Sequence, residues 1–233
     1  LKDLKSKRIL ILAEQGVSDE VRWARLYRWV NTNNITITCD PRLKTIFSSS
    51  FDKINFVSFK RNFRAAGKSL VEFHASNMPF KDEYVHENFD FVFSVGYLYT
   101  LLSKKRVASS RTKNHLIAET RRSKDSFRIG VSWSSAMRLP LRNLRYAVSL
   151  NEVAILKKYF PDNVEFYSLQ SPIDSHEIDF CRSHGIKVVD DIDLYNDFES
   201  SAPFLASLDA VIGVSTFNNE FAAALGTKFY HIA

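Results

Sequence analysis

Short apolar runs alternate with amphipathic stretches along this chain, and that alternation constrains the fold more than any other feature. RILILA (8–13) leads through a polar loop to a segment that sets Trp23, Leu26, Tyr27 and Val30 on one helical face. ITITCD (35–40) reads as a second strand, PRLKTIF as a short helix begun by Pro41, and INFVSF (54–59) as a third strand. A helical stretch is expected at 61–73 and a further strand at FDFVFSVG (89–96). Near-continuous apolar strands joined by helices imply parallel sheets covered on both faces.

The pattern then starts again. RIGVSW (128–133), VEFYSLQ (164–170), KVVDD (187–191), DAVIGVS (209–215) and KFYHIA read as strands. SLNEVAILKKYF, a segment running to about 184, SSAPFLASL and FNNEFAAALG read as the helices between them, with Gly226 placed to stop the last one. Residues 103–126 are rich in Lys, Arg and Ser and read as a solvated basic linker. The expected plan is α/β: two Rossmann-like, doubly wound parallel-sheet domains at 1–102 and 127–233, facing each other across a cleft. Beyond this shared architecture no exact internal repeat is visible.

Composition sets the class. With 45% hydrophobic and 25% charged residues among 233, the chain has the balance of a soluble globular protein, and no apolar run approaches the length that spans a bilayer. Cys39 and Cys181 lack metal-ligand spacing and make a poor disulfide framework, so a reducing cytoplasm is expected. The net charge of +6 favours an anionic ligand and fits contact with an anionic membrane surface, but is too diffuse to point at nucleic acid. Neither GxGxxG nor GxxxxGK[ST] occurs, which removes the main support for dehydrogenase and P-loop readings. Without an initial Met and with its end at KFYHIA, the chain reads as a fragment.

Ligands of open parallel sheets bind beyond the carboxyl ends of the strands, where helix N-termini attract anions. Two loops answer that description. EQGVSDE (14–20) leads from the first strand into a helix with Asp19 in its opening turn, expected to face the cleft. Asp19 is either a cap of that helix or a general base that takes the proton from an attacking hydroxyl. GVSTFNNE (213–220) offers Ser215 and Thr216 as helix caps or as diphosphate ligands, together with the N–H groups of Phe217 and Asn218. Between the two, VSWSSAMRLPLRNLRY (131–146) carries Arg138, Arg142 and Arg145, which either sit in solvent or neutralise a leaving diphosphate.

Taken in order, these segments resemble the glycosyltransferase domain attached to tetratricopeptide repeats in bacteria, a relative of the ADP-heptose lipopolysaccharide heptosyltransferases of the GT-B fold. The resemblance is carried by RILILAEQGVSDEVRWARLY, TCDPRLKTIFSSSF, SNMPF, GYL, RIGVSWSS, YSLQ and DFESSAPFLASLDAVIGVST followed by FAAALGTKFYHI, and covers nearly the whole chain. It implies an acceptor-binding first domain, a nucleotide-sugar-binding second domain, and inverting, metal-independent transfer to a glycan, lipid or protein acceptor, with no cofactor beside the nucleotide-sugar substrate. A flanking repeat domain and contact with the inner membrane belong to the same expectation. Carried over by position, Asp19 matches the catalytic base and Gln15 and Gly16 the acceptor-side loop, while Ser215, Thr216, Phe217, Asn218, Arg138 and Arg145 are the donor-side candidates that the loops themselves supply. Ser18 and Ser135 stand where the family has glycine, Ser215 where it has Asp, and Glu220 where it has His. A carboxylate at 220 opposes a nearby diphosphate unless it points away or pairs with an arginine. The altered donor loop keeps a second reading open, a catalytically silent module that binds a protein or glycan. A sugar-nucleotide epimerase on the same plan has no specific residue in its favour.

Overall fold

The computed structural model describes residues 6–13, 16–30, 34–60, 80, 82–102, 114–120, 126–135 and 147–232. The helix expected at 61–73 lies outside them. The chain divides into two compact units, Leu1–Lys113 and Asn114–Ala233.

The first unit holds four parallel strands, β1 (Ile9–Leu12), β2 (Ile35–Cys39), β3 (Asn55–Ser58) and β4 (Phe91–Ser94), in the order β3-β2-β1-β4. Its helices are α1 (Val17–Ala24), α2 (Lys44–Ser50), α3 (Asp82–Asn88) and α4 (Tyr97–Leu101). The second unit holds β5 (Phe127–Ser132), β6 (Val164–Ser168), β7 (Ile186–Val188), β8 (Ala210–Gly213) and β9 (Lys228–His231), all parallel, in the order β7-β6-β5-β8-β9. With it go α5 (Leu150–Lys157), α6 (Ser175–Ser183), α7 (Phe198–Ser207) and α8 (Phe217–Ala224). In each sheet the chain builds outward from the first strand, then returns to that strand's other side. The reversal between β1 and β4, and between β5 and β8, defines the topological switch point where such sheets open a crevice.

A repeated contact that the sequence patterns conceal fixes both reversals. Arg8 N–H donates to the Asp90 carboxylate at 2.8 Å while Asp90 N–H donates back to Arg8 C=O at 2.8 Å. In the second unit Arg128 and Asp209 exchange the same pair of bonds at 2.9 and 2.9 Å. The two pairs span 82 and 81 residues. Each sets the register of a central strand against the strand across the switch point.

Burial follows the alternating pattern with three departures. Ile9, Leu10, Ile11, Ile37, Ile129, Val131, Phe166 and Val211 are fully enclosed, as central strands require. The continuous helix expected through Val30 stops at Ala24, and a 3-10 turn at Tyr27–Trp29 follows. That tighter turn drives Tyr27 into an aromatic cluster with Phe47, Phe51 and Phe56, with ring centroids 5.4–6.0 Å away. β4 is less covered than its apolar run implies, since Phe91 and Val92 are exposed at the sheet edge. Within the stretch read as a solvated linker, 114–120 is docked on the second unit: His115 and Leu116 N–H donate to Ala224 C=O, Thr120 Oγ1 donates to Pro203 C=O, and Leu116 is fully buried. No helix of the described residues is long and apolar enough to cross a membrane.

Candidate functional site

In the first unit the loop after β1 enters α1 through Gly16, the N-cap residue, whose extended backbone any residue can adopt. Gly16 N–H donates to Asp19 Oδ2 at 3.2 Å, and Arg22 Nη1 stands 3.7 Å from Asp19 Oδ1 one turn on. Asp19 thus caps the helix, as one of its two sequence readings held, and its side chain remains 36% exposed, which leaves the carboxylate within reach of solvent. Gln15 lies outside the described residues. The neighbouring Glu20, which sequence reasoning passed over, is buried and accepts Asp40 N–H at 3.0 Å, tying the start of α1 to the end of β2. Asp40 in turn holds Arg42 through paired contacts of 2.8 and 2.9 Å and accepts Arg42 N–H. Fork-to-carboxylate pairing of this kind orients both partners.

The second unit concentrates polar contacts over the carboxyl ends of β5, β6 and β8. Close approach begins at Gly213, where a Cβ would lie 2.2 Å from Ser132 C=O and 2.7 Å from Ser132 Oγ. Only glycine lets β8 pass the end of β5 so closely. Thr216 is the N-cap of α8, its hydroxyl accepting Asn219 N–H at 3.4 Å and lying 3.4 Å from Ser132 Oγ. Ser215 is exposed and its hydroxyl donates to Glu220 Oε1 at 2.9 Å. Phe217 stacks on Phe198 at 4.1 Å, so its ring joins the α7–α8 packing. The N–H groups of Phe217 and Asn218, in the first turn, have no acceptor within the helix.

Two consecutive asparagines lock this turn to the sheet. Asn218 Nδ2 donates to Leu169 C=O at 2.9 Å; Asn219 Nδ2 donates to Ser132 Oγ at 2.7 Å and to Val214 C=O at 2.8 Å. Because a carbonyl requires a donor, these contacts fix which amide atom is nitrogen. The amide oxygens of both residues are buried and find no partner among the described residues. Leaving such an acceptor unpaired costs about 1–3 kcal/mol, so each calls for an explanation.

Behind the turn, Gln170 is a strut. It is buried, its Oε1 accepts Trp133 N–H at 3.3 Å and Ser134 N–H at 3.0 Å, and its Nε2 donates to Ser134 Oγ at 3.1 Å. Trp133 Nε1 donates to Glu177 Oε1 at 2.8 Å, while Glu177 also forms the capping box of α6 with Asp174. The loop after β5 is therefore held on two sides just before the stretch that carries Arg138, Arg142 and Arg145, which lies outside the described residues.

Of the residues singled out from sequence, Ser215, Thr216, Phe217 and Asn218 come together at the switch point of the second unit, and Gly16 with Asp19 at the start of α1. Ser132, Gln170, Glu177 and Asn219 were missed. Asp-x-x-Glu at 174–177 is a legible capping box, and Asn-Asn in a helix's first turn is a legible oddity because asparagine favours side-chain-to-backbone bonding there. Gln170 left no such signal, since its partners lie 36 and 37 residues away.

No protein-family model matches the chain. Protein FlbA of Caulobacter vibrioides is 23% identical over 252 residues, an alignment covering 98% of this chain and 39% of that protein. The chain thus spans about two-fifths of that curated relative's length. Among solved structures it is similar to a glycosyl transferase of family 9 from Veillonella parvula, with a TM-score of 0.59 and 11% identity over 96% of this chain and 80% of that one. It is also similar to the E. coli heptosyltransferase WaaC with ADP-2-deoxy-2-fluoro heptose, with a TM-score of 0.56 and 14% identity over 95% of this chain and 87% of that one. E. coli ADP-heptose lps heptosyltransferase II gives a TM-score of 0.56 at 11% identity, covering 95% and 83%. At these identities the likeness establishes the fold: the chain has the α/β fold, with parallel sheets in two units, that these glycosyltransferases have.

Proposed function

We propose that this chain is a glycosyltransferase of the GT-B type that moves a sugar from a nucleotide-sugar donor to a hydroxyl acceptor, inverting and without a metal. The observation that carries this reading is the switch point of the second unit, where Thr216 and the free first-turn N–H groups of α8 stand over the ends of β5 and β8. Helix starts at that position suit phosphate oxygens. The donor would bind there through Ser215, Thr216 and the backbone of Phe217 and Asn218, with Arg138 and Arg145 taking charge on the leaving group. The acceptor would lie against Gln15, Gly16 and Asp19 of the first unit.

In this mechanism Asp19 takes the proton of the acceptor hydroxyl while its oxygen bonds to the anomeric carbon. The bond from that carbon to the nucleotide breaks, and its electron pair leaves with the phosphate. Helix N–H groups and arginines stabilise that charge because they are in place before it develops. The activity belongs to a protein expected to carry a flanking repeat domain and to work in the cytoplasm at the inner-membrane surface.

Titration calorimetry with nucleoside diphosphates and nucleotide sugars tests the reading. Saturable binding of one nucleotide, weakened about tenfold in Thr216→Val, supports a working donor site. A folded protein that binds no nucleotide favours the second reading, a silent module for a protein or glycan partner. That alternative is favoured by the Ser215–Glu220 contact, which engages one expected donor-site hydroxyl and sets a carboxylate in the first turn of α8.

A further inference from the structure

The sheet of the first unit reverses between β1 and β4, and Val95 N–H donates to Leu12 C=O at 2.9 Å just past the carboxyl ends of both strands. Two helices lead away from that switch point, α1 after β1 and α4 after β4. Both bring aromatic rings. Leu26, Tyr27 and Val30, which the sequence sets on one helical face with Trp23, are buried, whereas Trp23 stays half-buried. Its ring partner is Tyr99 of α4, 45% exposed, with ring centroids 6.2 Å apart and planes at 72°. Tyr97, 49% exposed, packs instead against Phe93 with centroids 5.8 Å apart.

Trp23 follows Asp19 by four residues on α1, so the two share one helical face with Cβ atoms about 5–6 Å apart. A carboxylate beside two aromatic rings selects its ligand by chemistry. The face of an aromatic ring carries negative potential and attracts polarised C–H groups, while the carboxylate and the Tyr99 hydroxyl bond O–H groups. A pyranose ring has both, C–H groups on one face and hydroxyls around its edge. An alkyl chain lacks the hydroxyls, and Asp19 and Arg22, 3.7 Å apart, set charge where a lipid needs apolar surface. A Ser or Thr side chain lacks the ring. We infer that Trp23 and Tyr99 form a stacking platform for a sugar ring, and that the acceptor of the first unit is a glycan whose attacking hydroxyl is held toward Asp19. The inference rests on the reading of Asp19 as the base and names the acceptor class which that reading leaves open. With the planes at 72°, a sugar lying on one aromatic face is met at its edge by the other ring.

The test is NMR titration of methyl pyranosides of glucose, galactose and mannose into the wild-type protein, Trp23→Ala, Tyr99→Ala and Tyr97→Ala, with thermal melting as the check on folding. Stacking is expected to move the C–H protons of one sugar face upfield. Affinity is expected to fall about tenfold in Trp23→Ala and Tyr99→Ala and by less than about twofold in Tyr97→Ala. A nucleotide titration run beside it keeps the two readings apart. Nucleotide binding without pyranoside binding, or with pyranoside binding that Trp23→Ala and Tyr99→Ala leave unchanged, would overturn the inference while leaving the transferase reading intact. Binding of an acetylated Ser- and Thr-containing peptide in place of the pyranosides, weakened in Trp23→Ala, would assign the platform to a protein acceptor and overturn the inference. Pyranoside binding weakened in Trp23→Ala, with no nucleotide bound, would keep the platform and favour the silent glycan-binding module. Binding of neither class would overturn both. The wild-type upfield shifts need no variant and Tyr99 lies outside the core, so a failure of Trp23→Ala to fold leaves the test decisive.

Discussion

Asp19 and Thr216 show how one side chain serves both local structure and proposed chemistry. Each closes a helix start, Asp19 by accepting Gly16 N–H and Thr216 by accepting Asn219 N–H. Asp19→Asn keeps a cap, because asparagine accepts nearly as well, and removes the proposed base. Transfer is expected to fall about 100-fold or more with an unchanged melting temperature, measured as kcat/KM on the purified protein. Tyr27 offers a contrasting case, since its hydroxyl is buried without a partner among the described residues, and burial pushes its pKa far up. Tyr27→Phe keeps the ring contacts with Phe47, Phe51 and Phe56 and removes the unpaired hydroxyl. Stability in urea is expected to rise by about 1 kcal/mol.

Among elements, the meeting of β5, β8 and α8 depends on Gly213 and on the strut from Gln170. Gly213→Ala would drive a Cβ into Ser132 C=O, so β8 or β5 must shift. An overpacking cost of about 1–3 kcal/mol is expected, with loss of ligand affinity larger than the loss of stability explains. The 114–120 segment is the other element whose role reading along the chain missed. Its basic, Ser-rich surroundings read as a solvated connection, yet Leu116 is enclosed and two N–H groups find Ala224 C=O. A single buried leucine in a polar neighbourhood has no periodicity to announce it, which is why the contact was not legible. Leu116→Ala is expected to cost about 2–5 kcal/mol by equilibrium unfolding, whereas a solvated linker would tolerate it.

For the whole molecule, the thiols and the carboxylates give solution tests. Burial pushes the Cys39 thiol up to about 12 and the Cys181 thiol up to about 11, so neither carries thiolate at neutral pH. The native protein is expected to resist alkylation at pH 8 and to take two labels once unfolded. The carboxyls of Asp90, Glu152 and Asp197 are held below the usual range, chiefly by the N–H groups of Arg8 and Ser149 and the hydroxyl of Ser200 respectively. A lowered folded pKa means that the unfolded chain binds more protons, so stability is present above the unfolded value and is lost as pH falls through the folded one. The urea midpoint is therefore expected to decline below about pH 4.

The sequence by itself determined the element types and most of their order. Buried parallel strands must be apolar, and Ile9–Leu12, Ile35–Cys39, Phe127–Ser132 and Ala210–Gly213 announce themselves. It also marked the loops after β1 and β8, because their caps and glycines lie next to each other in the chain. Only the tertiary structure decided which polar side chains meet. The Arg8–Asp90 and Arg128–Asp209 pairs, the Gln170 strut and the hold of Asn219 on Ser132 join residues up to 87 positions apart. Hydrogen bonds over such distances leave no local pattern, because their partners are set by strand order rather than by spacing.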